Sequence, residues 1–124
     1  MIVLYLLVLM VVRLVSYNSH GLGPAKLDYI AKLCSLYDFV LVQEHWFLEQ
    51  TLAIFSDQIS GTCCHGVSAV DSSILLQGRT HGGCSILWSS SLTCKVTPVE
   101  SDSRAILCEI WHFWQNFKLE IHLK

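Results

Sequence analysis

The 124-residue chain predicts an α/β domain built on a mixed sheet, and three observations predict it. The run Phe39-Val40-Leu41-Val42 is apolar and bounded by polar residues, which is how a strand buried on both faces reads. A strand, a turn and a helix precede it in that order. Several short strand-like segments follow it, separated by turn residues.

The apolar run delivers Gln43-Glu44-His45-Trp46 to its carboxyl end, where open α/β sheets keep their ligands. Glu44 is therefore either a surface acid or a ligand for a hard cation such as Mg²⁺, which prefers oxygen donors. Charged residues make up only 15% of the chain, and the mean hydropathy of +0.48 excludes a disordered, highly charged segment. A net charge of −2 gives no global field for nucleic acid, so any such contact has to be local. The six cysteines, at 34, 63, 64, 84, 94 and 108, form no CxxC pair, which argues against a zinc ribbon or a thioredoxin-type site. Reduced thiols in an intracellular setting are expected. Cys63-Cys64-His65 reads as an ordinary loop segment rather than part of a metal cluster.

Taken in order, residues 1–12 are uninterrupted apolar sequence that meets Arg13. A membrane span needs about 20 such residues, and a signal peptide carries a basic residue before its apolar run, which this one lacks. Residues 1–12 are read as an apolar leader or an extension of the first strand, with a signal or anchor as the alternative; residues 13–124 form the domain. The first strand spans 11–17. Asn18, Ser19, Gly21, Gly23 and Pro24 then crowd together as turn chemistry. A helix over 25–36, starting near Pro24, buries Leu27, Ile30, Ala31, Leu33 and Cys34 and leaves Lys26 and Lys32 in water. With the strand that ends at Glu44, this makes a βαβ unit. If its strands are parallel neighbours, Asn18 and Glu44 share one edge of the sheet.

A second helix is expected over 47–59, with Leu48, Leu52, Phe55 and Ile59 on one face, then a short strand over 62–70 and a surface loop over 71–83. Strands follow at 84–88, 104–111 and 117–122, with a weaker one at 92–99, connected as an antiparallel meander. Gly82-Gly83 lets the backbone bend sharply or approach another group closely. The four tryptophans lack interleaved basic residues and read as core or boundary packing.

Considered together, SYNSHGL, LVQEHW, GRTHGGCSILW and SRAILCEI resemble, in order and spacing, the amino-terminal half of the endonuclease/exonuclease/phosphatase superfamily. The likeness is strongest to the apurinic-like endonuclease domain of non-LTR (LINE-type) retrotransposons and runs from about Arg13 onward. The resemblance implies half of a four-layer α/β sandwich, with a mixed sheet and helices on one side. It implies Asn18 and Glu44 as the active-site and metal residues, Mg²⁺ or Mn²⁺ as the cofactor and DNA as the partner. Gly78-Arg79 and Gly82-Gly83 match the GR-x-x-GG signature of the retrotransposon branch, and Arg104 opens a core strand in either a structural or a functional role. Arg79 and His20 are the candidate contacts to nucleic acid. Arg79 reads equally as a solvated loop charge, and His20 stands at a position that varies within the family.

In the family, a tyrosine on the next strand, an Asp-x-Asn motif and a closing Asp-His pair complete the site. None of them stands in this chain, and His122 has no Asp before it. The expectation is a truncated endonuclease fragment that is inactive alone, with a bare inner sheet face through which it self-associates. An active half of a longer chain is the alternative within the same fold. A small membrane-anchored or secreted non-enzymatic protein and a simple interaction module are the alternatives from other classes. Nuclear localisation follows from the first reading, and membrane association is not expected on it.

Overall fold

A computed structural model describes residues 3–7, 11–70, 82–92, 94–101, 105–112 and 115–122. The βαβ unit forms as the apolar spacing dictates. Strand Val11–Asn18 (β2) leads through the turn into helix Pro24–Leu36 (α1) and on to strand Phe39–Gln43 (β3), which pairs parallel to β2. Before them, Val3–Leu7 is a strand of its own (β1), folded back antiparallel on β2. Pro24 opens α1, and the helix ends where Tyr37 turns extended while its N–H still reaches Leu33 O. Ile30 and Leu33 are its buried residues. At the far end of the unit, Asp38 fixes the register twice: its Oδ2 accepts the Arg13 N–H at 2.8 Å and its own N–H donates to Arg13 O at 2.9 Å.

The expected helix over 47–59 is broken. A single 3₁₀ turn, Glu49–Thr51, precedes a short helix, Ile54–Gln58 (α2). The backbone is not helical where that helix would start: Trp46 is left-handed (φ 63°) and Leu48 extended (ψ 159°), so helical turns begin only at Glu49. Strand Thr62–Val67 (β4) then forms a hairpin with strand Cys84–Ser89 (β5), and β5 pairs antiparallel with β3. Cys63, Cys64 and His65 therefore lie on a strand rather than in a loop. The first sheet has the order β1-β2-β3-β5-β4.

Strands Cys94–Ser101 (β6), Ala105–His112 (β7) and Gln115–His122 (β8) make a separate antiparallel sheet. The meander expected of the later segments is thus confined to these three, while β5 belongs to the first sheet. Pro98 sits on β6, an edge strand where its missing N–H is tolerated, next to a bulge at Val99.

The core has two halves, one on each face of the first sheet. Outside, Ile30 and Leu33 of α1 and Phe55 of α2 close over Val15, Val40, Val42 and Leu87. Inside, Leu14, Phe39, Cys84 and Ile86 meet Ile106, Cys108 and Ile110 of β7, all of them buried. The chain is an α/β domain with a mixed sheet and helices on one side. Its inner sheet face, expected to lie bare, is covered by the chain's own second sheet. Each large side chain buried in this way contributes about 1.5–3 kcal/mol. Cys34, Cys63, Cys64, Cys84 and Cys108 are free thiols, and burial pushes Cys108 up to about 11 and Cys64 up to about 12. Among the described residues, no helix is long and apolar enough to cross a membrane.

Candidate functional site

The parallel register sets Asn18 opposite Gln43, so Asn18 and Glu44 emerge at the same edge of the sheet. The two strand tips are stitched together by the turn between them. Ser19, which is buried, donates its N–H to Gln43 O at 2.9 Å, and its hydroxyl lies 3.0 Å from Gln43 O and 2.9 Å from Glu44 O. Gly21 N–H adds a bond to Glu44 O at 2.7 Å. Lys26, expected in water, is half-buried, and its ammonium gathers three carbonyls of this turn: Ser19 O at 2.7 Å, Gly21 O at 3.1 Å and His20 O at 3.4 Å. Lys32 is exposed as expected.

Three non-glycine residues with left-handed backbone stand here together: His20 (φ 47°), Glu44 (φ 53°) and Trp46 (φ 63°). Such conformations cost on the order of 1–3 kcal/mol each and persist only where the surroundings over-determine them. The main chain supplies that determination, with Glu44 N–H on Gly83 O (2.8 Å) and Trp46 N–H on Gly82 O (2.9 Å). Asn18 Oδ1 accepts the His20 N–H at 3.1 Å, and His20 Nδ1 lies 3.7 Å from Glu44 Oε2. The His20 side chain is 76% exposed and that of Glu44 37%. An exposed pair of this kind contributes at most about 1 kcal/mol, so the loop holds the pair and not the reverse. His20 also meets Trp46 edge to face, with ring centres 5.0 Å apart. Residues His20 to Gly23 and His45 to Phe47 line a depression of about 340 Å³ beside this edge.

Sequence reasoning missed His45. It is fully buried, with Nδ1 accepting the Phe47 N–H at 2.9 Å, so the proton sits on Nε2, which faces Val67 O at 3.0 Å. Burial holds its pKa below the ordinary 6.5, against the smaller upward pull of the Val67 and Cys84 backbone. Its ring stacks on Phe47 and packs edge-on against Phe55. Gly83 lies directly beneath it in left-handed backbone (φ 87°), and a Cβ there would fall inside the imidazole. The Gly82-Gly83 pair was the signal: the close approach it permits is to His45. Ser19 carried a fainter signal, since a hydroxyl between Asn18 and His20 reads only as turn chemistry.

The structure brings Asn18, His20 and Glu44 to one edge. Arg79, with Gly78 and Arg104, lies outside the described residues. Among those residues, no three His, Cys, Asp or Glu side chains are grouped to hold a metal. What the edge offers is one carboxylate, one amide oxygen and one imidazole. Mg²⁺ is commonly held through one or two carboxylates with several waters kept, and Glu44 is a donor of that kind. No family model matches the chain, and no curated protein matches it.

Proposed function

We propose that this chain carries the metal-binding part of a phosphodiester-cleaving endonuclease site of the retrotransposon type, with Glu44 as the carboxylate ligand, Asn18 beside it, Mg²⁺ or Mn²⁺ as the ion and DNA as the substrate. The observation that supports the reading is the parallel pairing of β2 with β3, which brings Asn18 and Glu44 to one sheet edge on a turn fixed by buried Ser19. Hydrolysis of a phosphodiester needs a cation on the phosphoryl oxygens, a base for the attacking water and a donor to the leaving oxygen. The 124 residues contain no Asp-x-Asn and no Asp-His sequence. The buried His45 at this edge has both ring nitrogens engaged and cannot take a proton from water in place. The reading therefore assigns metal binding to these 124 residues and no cleavage to them alone.

Metal titration of the chain tests this. Glu44→Gln is expected to weaken Mg²⁺ and Mn²⁺ binding at least tenfold, and Glu49→Gln, on an exposed residue of the 3₁₀ turn, to leave it within about twofold. Equal effects of the two substitutions would remove Glu44 from the site. Nicking of supercoiled or abasic DNA by the 124-residue chain above the background of the Glu44→Gln variant would overturn the assignment of no cleavage.

A further inference from the structure

We propose that His20 and Glu44 are joint ligands of one ion, which makes the site select Mn²⁺ over Mg²⁺. The inference rests on the reading of Glu44 as a metal ligand and adds a nitrogen donor to it. His20 Nδ1 and Glu44 Oε2 are 3.7 Å apart. That separation is too long for a hydrogen bond, which spans about 2.7–3.2 Å. Two donors each about 2.1 Å from a shared ion stand about 3.0–3.4 Å apart, so a closure of a few tenths of an ångström brings both onto one centre. The backbone that presents the imidazole is already fixed. Its N–H is held by Asn18 Oδ1, its carbonyl faces the Lys26 ammonium, and its ring leans edge-on against Trp46. The side chain itself is exposed, so an ion from solvent reaches it directly.

The donor chemistry then decides between ions. Mg²⁺ takes oxygen ligands and gives up its waters reluctantly. Mn²⁺ accepts the same carboxylate and water oxygens and, as a first-row transition ion, gains from an imidazole nitrogen. Softer ions such as Zn²⁺ are also drawn to cysteine sulfur, and the chain has six cysteines, so Mn²⁺ is the probe that reads the Glu44–His20 pair. In this arrangement Asn18 is a positioning residue: its Oδ1 holds the His20 backbone in the left-handed conformation that aims the ring at Glu44.

The test measures Mn²⁺ binding to the reduced chain by electron paramagnetic resonance, and Mg²⁺ binding by competition, in the parent, His20→Ala, His20→Asp and Glu44→Gln chains. Because His20 is exposed, its substitution leaves the core intact, and circular dichroism checks this. His20→Ala is expected to weaken Mn²⁺ at least tenfold and Mg²⁺ by no more than twofold. His20→Asp is expected to restore binding with the preference shifted toward Mg²⁺, and Glu44→Gln to weaken both ions. If His20→Ala changes both ions equally or neither, while Glu44→Gln weakens both, His20 is no ligand and the inference falls with the metal reading of Glu44 intact. If Glu44→Gln changes neither ion, or the parent chain binds neither, both fall together.

Discussion

At the scale of single residues, the contact between His45 and Gly83 makes the sharpest demand on the sequence. A Cβ at Gly83 must displace either the imidazole or the backbone, and its φ of 87° is strained for any side chain. Overpacking and a left-handed residue each cost about 1–3 kcal/mol. Gly83→Ala is therefore expected to destabilise the chain by about 2–4 kcal/mol in urea unfolding, while Gly23→Ala, with open space around it, stays within about 1 kcal/mol. His45 itself sets a pH dependence. Its folded pKa lies below the unfolded 6.5, so the unfolded chain binds the extra proton first on acidification. His65, also lowered by burial, acts in the same direction. Stability is fully present above pH 6.5 and declines as the pH falls from there toward the lowered folded values. Urea midpoints measured between pH 8 and about 5, above the carboxylate range, are expected to be flat at first and then to fall. A flat profile throughout would mean that His45 is not held neutral. Glu44 was legible as a strand-tip acid because an apolar run points at it. His45 was not, because nothing in the order Gln43-Glu44-His45-Trp46 says which residue turns inward once the strand ends.

At the scale of elements, the βαβ unit was legible almost to the residue, since the spacing of Leu27, Ile30, Ala31 and Leu33 and the position of Pro24 are local facts. The helix over 47–59 was not. Leu48, Leu52, Phe55 and Ile59 have helical spacing, but Leu48 stands extended after a left-handed Trp46, in a segment held by Gly82 and by the His45 ring, partners that no local pattern reveals. The role of Lys26 was hidden in the same way. A lysine on the polar side of a helix reads as solvated, yet this one ties the start of α1 to the turn that carries His20. Removing the ammonium while keeping the stem isolates that tie. Lys26→Met is expected to cost about 1–2 kcal/mol and to speed hydrogen exchange at the amides of residues 19–21, whereas Lys32→Met, on an exposed position, changes neither. Exchange at 19–21 unaltered by Lys26→Met would show that Ser19, Asn18 and the Gly21–Glu44 bond hold the turn without the ammonium.

At the scale of the whole molecule, the decisive packing event is the docking of β7 against the inner face of the first sheet. The segment over 104–111 was legible as an apolar strand. Which surface that strand covers was not legible, because hairpin spacing is the same whether a meander extends the first sheet or forms a second one. The resemblance to half of a two-sheet domain led to the expectation of a bare face, and the chain instead covers it with Ile106, Cys108 and Ile110 of β7 and with Val96 of β6. The two sheets then share one apolar core, in which Phe39 and Ile86 from one side meet Ile106, Cys108 and Ile110 from the other. A shared core of this kind makes unfolding of the two sheets a common event. Ile110→Ala, which removes a fully buried side chain from the interface, is expected to cost about 2–5 kcal/mol. The loss is expected to appear in β3 and β5 as well as in β7: amides of Val40, Leu41 and Ile86 lose hydrogen-exchange protection in step with those of Leu107 and Glu109. If protection in β3 and β5 stays at the parental level while β7 opens, the second sheet is a separable layer. The inner face would then become available whenever that layer lifts, and the chain would self-associate in proportion to the fraction opened.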